Sequence, residues 1–122
     1  MKIETIMENG VAVAVIEQGE KLVTSAQAAL DMAMTVQYET GAHRIALPKK
    51  LVAEEFFILS SGMAGEILQK FINYHIKLAI WGDFSRYTSK PLHDFLYESN
   101  QGNDFFFVGT KEEALARLGQ AR

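Results

Sequence analysis

Leu59-Ser60-Ser61-Gly62-Met63-Ala64-Gly65 is the stretch on which the fold reading turns. Two serines and a glycine close a polar approach segment, and an amphipathic helix opens behind them, from Met63 to Phe71. Free backbone N–H groups, serine hydroxyls and the positive end of the helix dipole meet at such a junction. That combination suits an anion or a phosphorylated side chain, which makes Ser60, Ser61 and Gly62 a candidate phosphorylation or anion site. Either serine would also serve as an N-cap, a structural role that stabilises a helix by about 1 kcal/mol.

Downstream, the helix carries Met63, Ile67, Leu68, Phe71 and Ile72 on one side and Glu66, Gln69, Lys70 and Asn73 on the other. This is the pattern of a helix packed one-sidedly on a sheet, with its polar side a candidate partner surface. Lys77 to Trp81 is a compact apolar run bounded by polar residues, as buried parallel strands are. A polar loop, Gly82 to Lys90, follows. Ser89 and Pro91 mark the next helix start, Leu92, Phe95, Leu96 and Ser99 its buried side, and Gly102 its stop. Phe105 to Val108 reads as the last strand. Thr110-Lys111-Glu112-Glu113 then forms a capping box ahead of a terminal helix with Ala114, Leu115 and Leu118 inward.

Upstream, Lys2 to Met7 and Val11 to Ile16 are β-prone and separated by Glu8-Asn9-Gly10, a hairpin signal. Thr24-Ser25-Ala26-Gln27 predicts a capping box, with Thr24 as the cap. The helix it opens carries Ala26, Leu30, Ala33 and Gln37, widened by Ala29, Val36 and Tyr38, and stops at Gly41. Arg44 to Leu47 predicts a short strand ended by Pro48. Between Lys49 and Leu59, Ala53-Glu54-Glu55-Phe56-Phe57 predicts a helical turn whose phenylalanines plug the sheet edge or floor. The order is β-β-α-β-α-β-α-β-α: one α/β domain with an N-terminal hairpin, parallel core strands and helices packed on a mixed sheet.

The totals suit such a domain. The chain has 122 residues, 48% hydrophobic and 22% charged, with a net charge of −3. An acidic balance argues against non-specific nucleic-acid binding, which needs a basic footprint. No cysteine is present, so disulfides, thiolate nucleophiles and thiolate metal sites are excluded. The N-terminus does not read as a signal peptide, and no apolar run approaches the roughly 20 residues that span a bilayer. The expectation is a soluble cytoplasmic protein that engages neither membrane nor nucleic acid.

Candidate chemistry is sparse. His43, His75 and His93 fall on a loop, a helix end and a helix start, without metal-ligand spacing, and His75 suits the C-terminal end of its helix dipole. No metal or cofactor is expected. Glu54-Glu55 reads as a solvated pair, and Glu66 as a surface residue rather than a general base. Trp81 and the Phe105-Phe106-Phe107 run suit sheet packing on both faces. The loop from Gly82 to Lys90 follows a central strand, where ligands bind in open α/β sheets. Asp83, Ser85 and Arg86 are therefore a candidate ligand loop, with Lys90, Ser60, Lys49 and Thr110 within the same reach. No GxGxxG or Walker A sequence accompanies it.

The element order and the Ser-Ser-Gly turn resemble the STAS superfamily, the domain shared by sulfate transporters and bacterial anti-sigma factor antagonists. There, Asp-Ser-Ser-Gly-Leu-Gly opens a helix; the matching residues are Leu59, Ser60, Ser61, Gly62, Met63 and Ala64. Lys77 to Ile80 resembles that family's next strand, and Phe105 to Val108 with Thr110 and Glu112 to Leu115 its last strand and final helix. The likeness implies a non-catalytic regulatory module in which Ser60 is phosphorylated by a partner kinase. Leu59 departs from the family's aspartate, so the acidic neighbour of the serine is missing. Phe56-Phe57, Ala64 to Phe71, Gly82 to Ser85 and Glu98-Ser99-Asn100 further resemble a small bacterial family described only as a domain of unknown function.

Three functions are thus open. The first is a STAS-like protein-interaction module working through Glu66, Gln69, Lys70 and Asn73. The second is a sensor or carrier of an anionic ligand held between the Ser60 turn and the Asp83–Lys90 loop. The third is a small enzyme of unknown reaction, for which no nucleophile–base constellation is present. A protein partner is expected, and the edges of so small a sheet leave a homodimer open.

Overall fold

Asn9 and Gly10 take φ angles of 52° and 82°, the paired left-handed geometry of a two-residue hairpin loop. They fold β1 (Glu4–Glu8) back antiparallel onto β2 (Val11–Val15). The computed structural model describes residues 1–122. β3 (Arg44–Pro48), β4 (Lys77–Trp81) and β5 (Phe105–Val108) join in parallel, giving the sheet order β1-β2-β3-β4-β5. α1 (Ala26–Thr40), α2 (Met63–Asn73) and α3 (Lys90–Gln101) are the crossovers, and α4 (Lys111–Gln120) follows the last strand. The expected α/β element order is the observed one.

Every crossover steps one strand in the same direction, and crossovers share one hand, so α1, α2 and α3 lie on one face. Alternate residues of the strands serve the two faces. Ala14, Ile16, Ile45, Leu47, Leu78, Ile80, Phe105 and Phe107 form one core with Ala29, Met32, Val36, Ala64, Ile67, Phe71, Leu92 and Leu96 of the three helices. Val13, Val15, Ala46, Ala79, Phe106 and Val108 form a second with Ala114, Leu118 and Ala121 at α4. The triple phenylalanine is thereby divided between the faces, as its strand position predicts.

α4 alone covers the second face, and it is fastened along its length. Thr110 Oγ1 accepts from Glu113 N at 3.2 Å, as the capping box requires. Lys111 reaches Glu17 at 2.9 Å and Glu4 at 3.8 Å. At the other end Arg44 of β3 donates to the carbonyls of Leu118 and, at 2.9 Å, Ala121, neutralising acceptors that a helix terminus leaves open. Gly119 permits the close crossing of β1, because a Cβ there would sit 2.6 Å from Glu8 Cγ.

Local details correct the sequence reading. Ser25, not Thr24, caps α1, accepting from Ala28 N at 3.0 Å, and Gln27 bonds Asp31 instead of reaching back. Tyr38 is 92% exposed rather than part of the buried stripe. α2 has Gly62 at its cap position, with no side-chain cap. Ile72, placed on the apolar side by its spacing, is about half exposed, because it lies in the last turn beyond the sheet-facing Phe71. His75 acts through its backbone: at φ 58° it closes α2, its N–H bonding Ile72 O and the next, from Ile76, bonding Phe71 O. That is the Schellman arrangement, which glycine adopts without strain.

The sheet's edges differ. On β5, the Asn100 side chain donates to Phe107 O at 3.0 Å and accepts from Phe107 N at 2.8 Å, imitating one residue of a further strand. Asn100→Ala is expected to cost about 1–3 kcal/mol in urea unfolding by orphaning both groups; an unchanged midpoint would show that water replaces the amide without loss. His75→Gly should instead raise stability by about 1 kcal/mol by relieving the left-handed backbone, a gain that thermal unfolding would register.

Candidate functional site

Pro48 ends β3 and delivers Lys49 and Lys50 to the carboxyl end of the sheet. From there to α2 the chain makes three 3-10 turns, Lys49–Leu51, Glu54–Phe57 and Leu59–Ser61. Phe56 and Phe57 are buried beneath this segment, both rings against Phe107 of the edge strand β5. The loop before α1 is laced to it: Leu22 and Val23 donate to Leu51 O at 2.8 and 3.1 Å, and Ala53 N returns a bond to Val23 O at 2.9 Å. Lacing positions Lys21, whose ammonium holds the carbonyls of Lys50 and Val52 at 3.0 and 3.4 Å.

The loop after β4 closes the other side. Gly82 is required for its approach, since a Cβ there would lie 2.8 Å from Lys49 Cβ. Tyr87 stacks on Phe57 with ring centroids 5.0 Å apart. Lys49 lies across both rings, 4.9 Å from the centroid of Tyr87 and 5.7 Å from that of Phe57, a cation–π arrangement that fixes its ammonium. Glu54 gathers the donors: Tyr87 Oη at 3.0 and 3.1 Å from its two oxygens, Lys49 Nζ at 3.5 Å, and the Arg86 guanidinium.

Together these residues line a cavity of about 310 Å³ bounded by Lys21, Lys49, Lys50, Val52, Glu54, Asp83 and Arg86. Four cations face two carboxylates, an excess of positive charge in a chain whose net charge is −3. Partial burial pushes the Glu54 carboxyl up, but the Tyr87 hydroxyl, Lys49 and Arg86 together hold it below its ordinary value. Asp83 is held low by hydrogen bonds from the Ser85 side chain and backbone. Arg86 is raised by Tyr87 and Glu54. Each shift favours the charged form, so Glu54 and Asp83 are carboxylates and Arg86 a cation at neutral pH.

Of the residues singled out from sequence, Asp83, Arg86 and Lys49 converge here. Ser85 sits behind them, its N–H donating to Asp83 Oδ1 at 2.9 Å. Lys90 pairs with Asp94 at 2.7 Å instead, and Thr110 is occupied at the start of α4. The Ser60-Ser61-Gly62 turn does not line the cavity. Ser60 is exposed, while Ser61 Oγ donates to Glu55 O at 2.8 Å and accepts from Met63 N at 3.2 Å. Ser61 thus takes up one of the free N–H groups that an anion would have used, from one residue before the cap position. Glu66, Gln69 and Asn73 are exposed and Lys70 half-buried on the outer side of α2, where Gln69 bonds Asn73 at 3.1 Å.

Glu54 keeps the solvent exposure that the pair Glu54-Glu55 suggested, but Tyr87, Lys49 and Arg86 also engage its carboxylate. Lys21 and Lys50 were not anticipated as cavity residues, nor Tyr87 as the partner of Glu54. Lys49-Lys50 directly after a strand-ending proline was the one available signal; Lys21 arrives only through tertiary lacing. His43, His75 and His93 stay apart, and no three His, Asp or Glu side chains form a metal-ligating group. No helix is long and apolar enough to cross a membrane.

Fold and site together define a small α/β domain with a cation-lined cavity at the carboxyl end of its sheet. The chain belongs to the family described as "Domain of unknown function (DUF4180)", whose profile matches residues 8–118. Its element order is compatible with a general STAS-like topology. No curated protein and no solved structure matches it.

Because Glu54's carboxyl is held below its ordinary value of 4.5, its bonds stabilise the fold above that value. The contribution is lost as pH falls through the depressed folded value. Glu54→Gln should therefore flatten the acid limb: unfolding free energy, measured in urea between about pH 3 and 6, should fall less steeply with acid than in the wild type.

Proposed function

We propose that this chain is a non-catalytic regulatory module that binds an anion in the Lys49–Arg86 cavity and presents the outer side of α2 to a protein partner. The observation that carries the reading is convergence. Lys21 comes from the loop before α1, Lys49 and Lys50 from the end of β3, and Arg86 from the loop after β4, yet all four line one cavity. Holding four like charges together costs Coulomb energy that a bound anion offsets. A chain of hydrogen bonds leads outward: the carbonyl of Glu55, next to Glu54, accepts from the Ser61 hydroxyl, and Ser61 accepts the first N–H of α2. Cavity occupancy is thereby coupled to the start of the helix bearing Glu66, Gln69, Lys70 and Asn73.

The finer STAS-like reading, with Ser60 as a modification site, is supported by the resemblance at Leu59 to Ala64 and by the exposure of Ser60. Phosphopeptide mapping of the native protein across Lys50 to Lys70 decides it.

Anion binding should raise the melting temperature, since a ligand at about a hundredfold excess over its Kd adds about 2.7 kcal/mol. Phosphate, sulfate and citrate, titrated at constant ionic strength, are the probes. At least one is expected to raise the midpoint, with amide resonances of Ser61, Met63 and Ala64 shifting in parallel. Arg86→Ala and Lys50→Ala should each weaken binding about tenfold, the value of a charge-assisted hydrogen bond. A midpoint indifferent to all three anions sinks the reading.

A further inference from the structure

Resting on the anion-cavity reading, we infer that Glu54 is a built-in occupant of the cavity and that the ligand it stands in for is a small di- or tricarboxylate. The carboxylate of Glu54 already receives what carboxylate recognition requires: a hydroxyl on both oxygens from Tyr87, the Arg86 guanidinium, and the Lys49 ammonium at 3.5 Å. Two of these donors, Tyr87 and Lys49, have supports other than Glu54, and Arg86 lies over the Tyr87 ring at 5.3 Å from its centroid. Tyr87 is stacked on Phe57, and Lys49 lies over both rings against Gly82.

Glu54 itself is held through its carboxylate tip, by groups that an incoming carboxylate would also engage. It stands at the start of a four-residue 3-10 turn, and its side chain is 57% exposed. It can swing into water while keeping full hydration of its charge, so an incoming carboxylate exchanges one ion pair for another at little cost.

Ligand class follows from the cations that Glu54 does not use. Lys50 has no ion-pair partner, and Lys21 holds two backbone carbonyls with the third proton of its ammonium free. A monocarboxylate would satisfy only the Arg86–Tyr87–Lys49 side. A second carboxylate on the same small molecule reaches Lys21 and Lys50 and gains the effective concentration of an intramolecular contact. Asp83 opposes surplus negative charge, but its Oδ1 is engaged with Ser85 N. Displacement of Glu54 also loosens the turn whose Glu55 carbonyl holds Ser61, so the exchange is felt at the first turn of α2.

The test is calorimetric titration of the full chain with citrate, acetate and phosphate at constant ionic strength, using wild type, Glu54→Gln and Glu54→Gln/Arg86→Ala. Removing the internal competitor should tighten citrate binding about tenfold or more, with acetate and phosphate weaker than citrate on both proteins. The gain should vanish in the double variant. Equal or weaker citrate binding by Glu54→Gln overturns the internal-occupant inference while leaving the cavity reading intact. Phosphate binding tighter than citrate overturns the carboxylate assignment. No anion binding by either folded protein removes both readings. If Glu54→Gln does not fold, Glu54→Asp, which falls short of Arg86, is held to the same expectation.

Discussion

The sheet of this protein must be covered on both faces, and its topology lets three of its four helices reach only one of them. Strand order runs without reversal from β1 to β5, so right-handed crossovers put α1, α2 and α3 together. The second face, bearing Val13, Val15, Phe106 and Val108, depends on the ten-residue α4 alone. Small residues meet that constraint: Ala46 and Ala79 lie beneath α4, whereas Ile45, Leu47, Leu78 and Ile80 point at the three-helix side. A helix over small residues sits close to the strands, and Gly119 continues the approach past β1. Arg44, Lys111 and Asn9 then tie α4 down, Asn9 donating to Gly119 O at 3.1 Å.

The same topology shapes the site. A sheet without a reversal has no switch point and hence no ready crevice between diverging crossovers. The cavity is built instead from an addition, the run of 3-10 turns between β3 and α2, laid over the strand ends and laced to the loop before α1. Phe57 and Tyr87 stack beside it and Lys49 crosses both, while the cavity lining itself is charged apart from Val52. Aromatic packing that positions charged side-chain ends is a physical basis for binding small polar molecules without closing a deep pocket.

Much of the frame was legible before folding. Asn9-Gly10 can hardly be other than a tight turn, because both residues accept positive φ. Lys77 to Trp81 and Phe105 to Val108 have the unbroken apolar runs of strands buried on both faces, and both match the observed strands to the residue. Thr110 with Glu113 and Ser89 with Pro91 mark helix starts correctly because capping acts within three residues. The errors are equally local. Thr24 and Ser25 are both competent caps, and the backbone of Ser25, extended at φ −161°, decided between them. Ser61 offered the same chemistry as a cap, but Gly62 takes the cap position, and Ser61 satisfies Met63 N from one residue earlier while donating to Glu55 O.

Sequence by itself determined the hairpin, the alternation of strands and helices, and the apolar faces, because turn geometry, capping and side-chain periodicity act over a few residues. It also placed Asp83 and Arg86 beyond a strand end, where polar loops gather. Only the tertiary structure decided that Lys21, Lys49, Lys50 and Arg86 share one cavity and that Glu54 lies among them. Those groups are up to 65 positions apart, as Lys21 and Arg86 are, and no periodicity joins them. Their meeting depends on how loops lace together over the strand ends, and the relevant energies are Coulombic and aromatic contacts that exist only once the sheet beneath has formed.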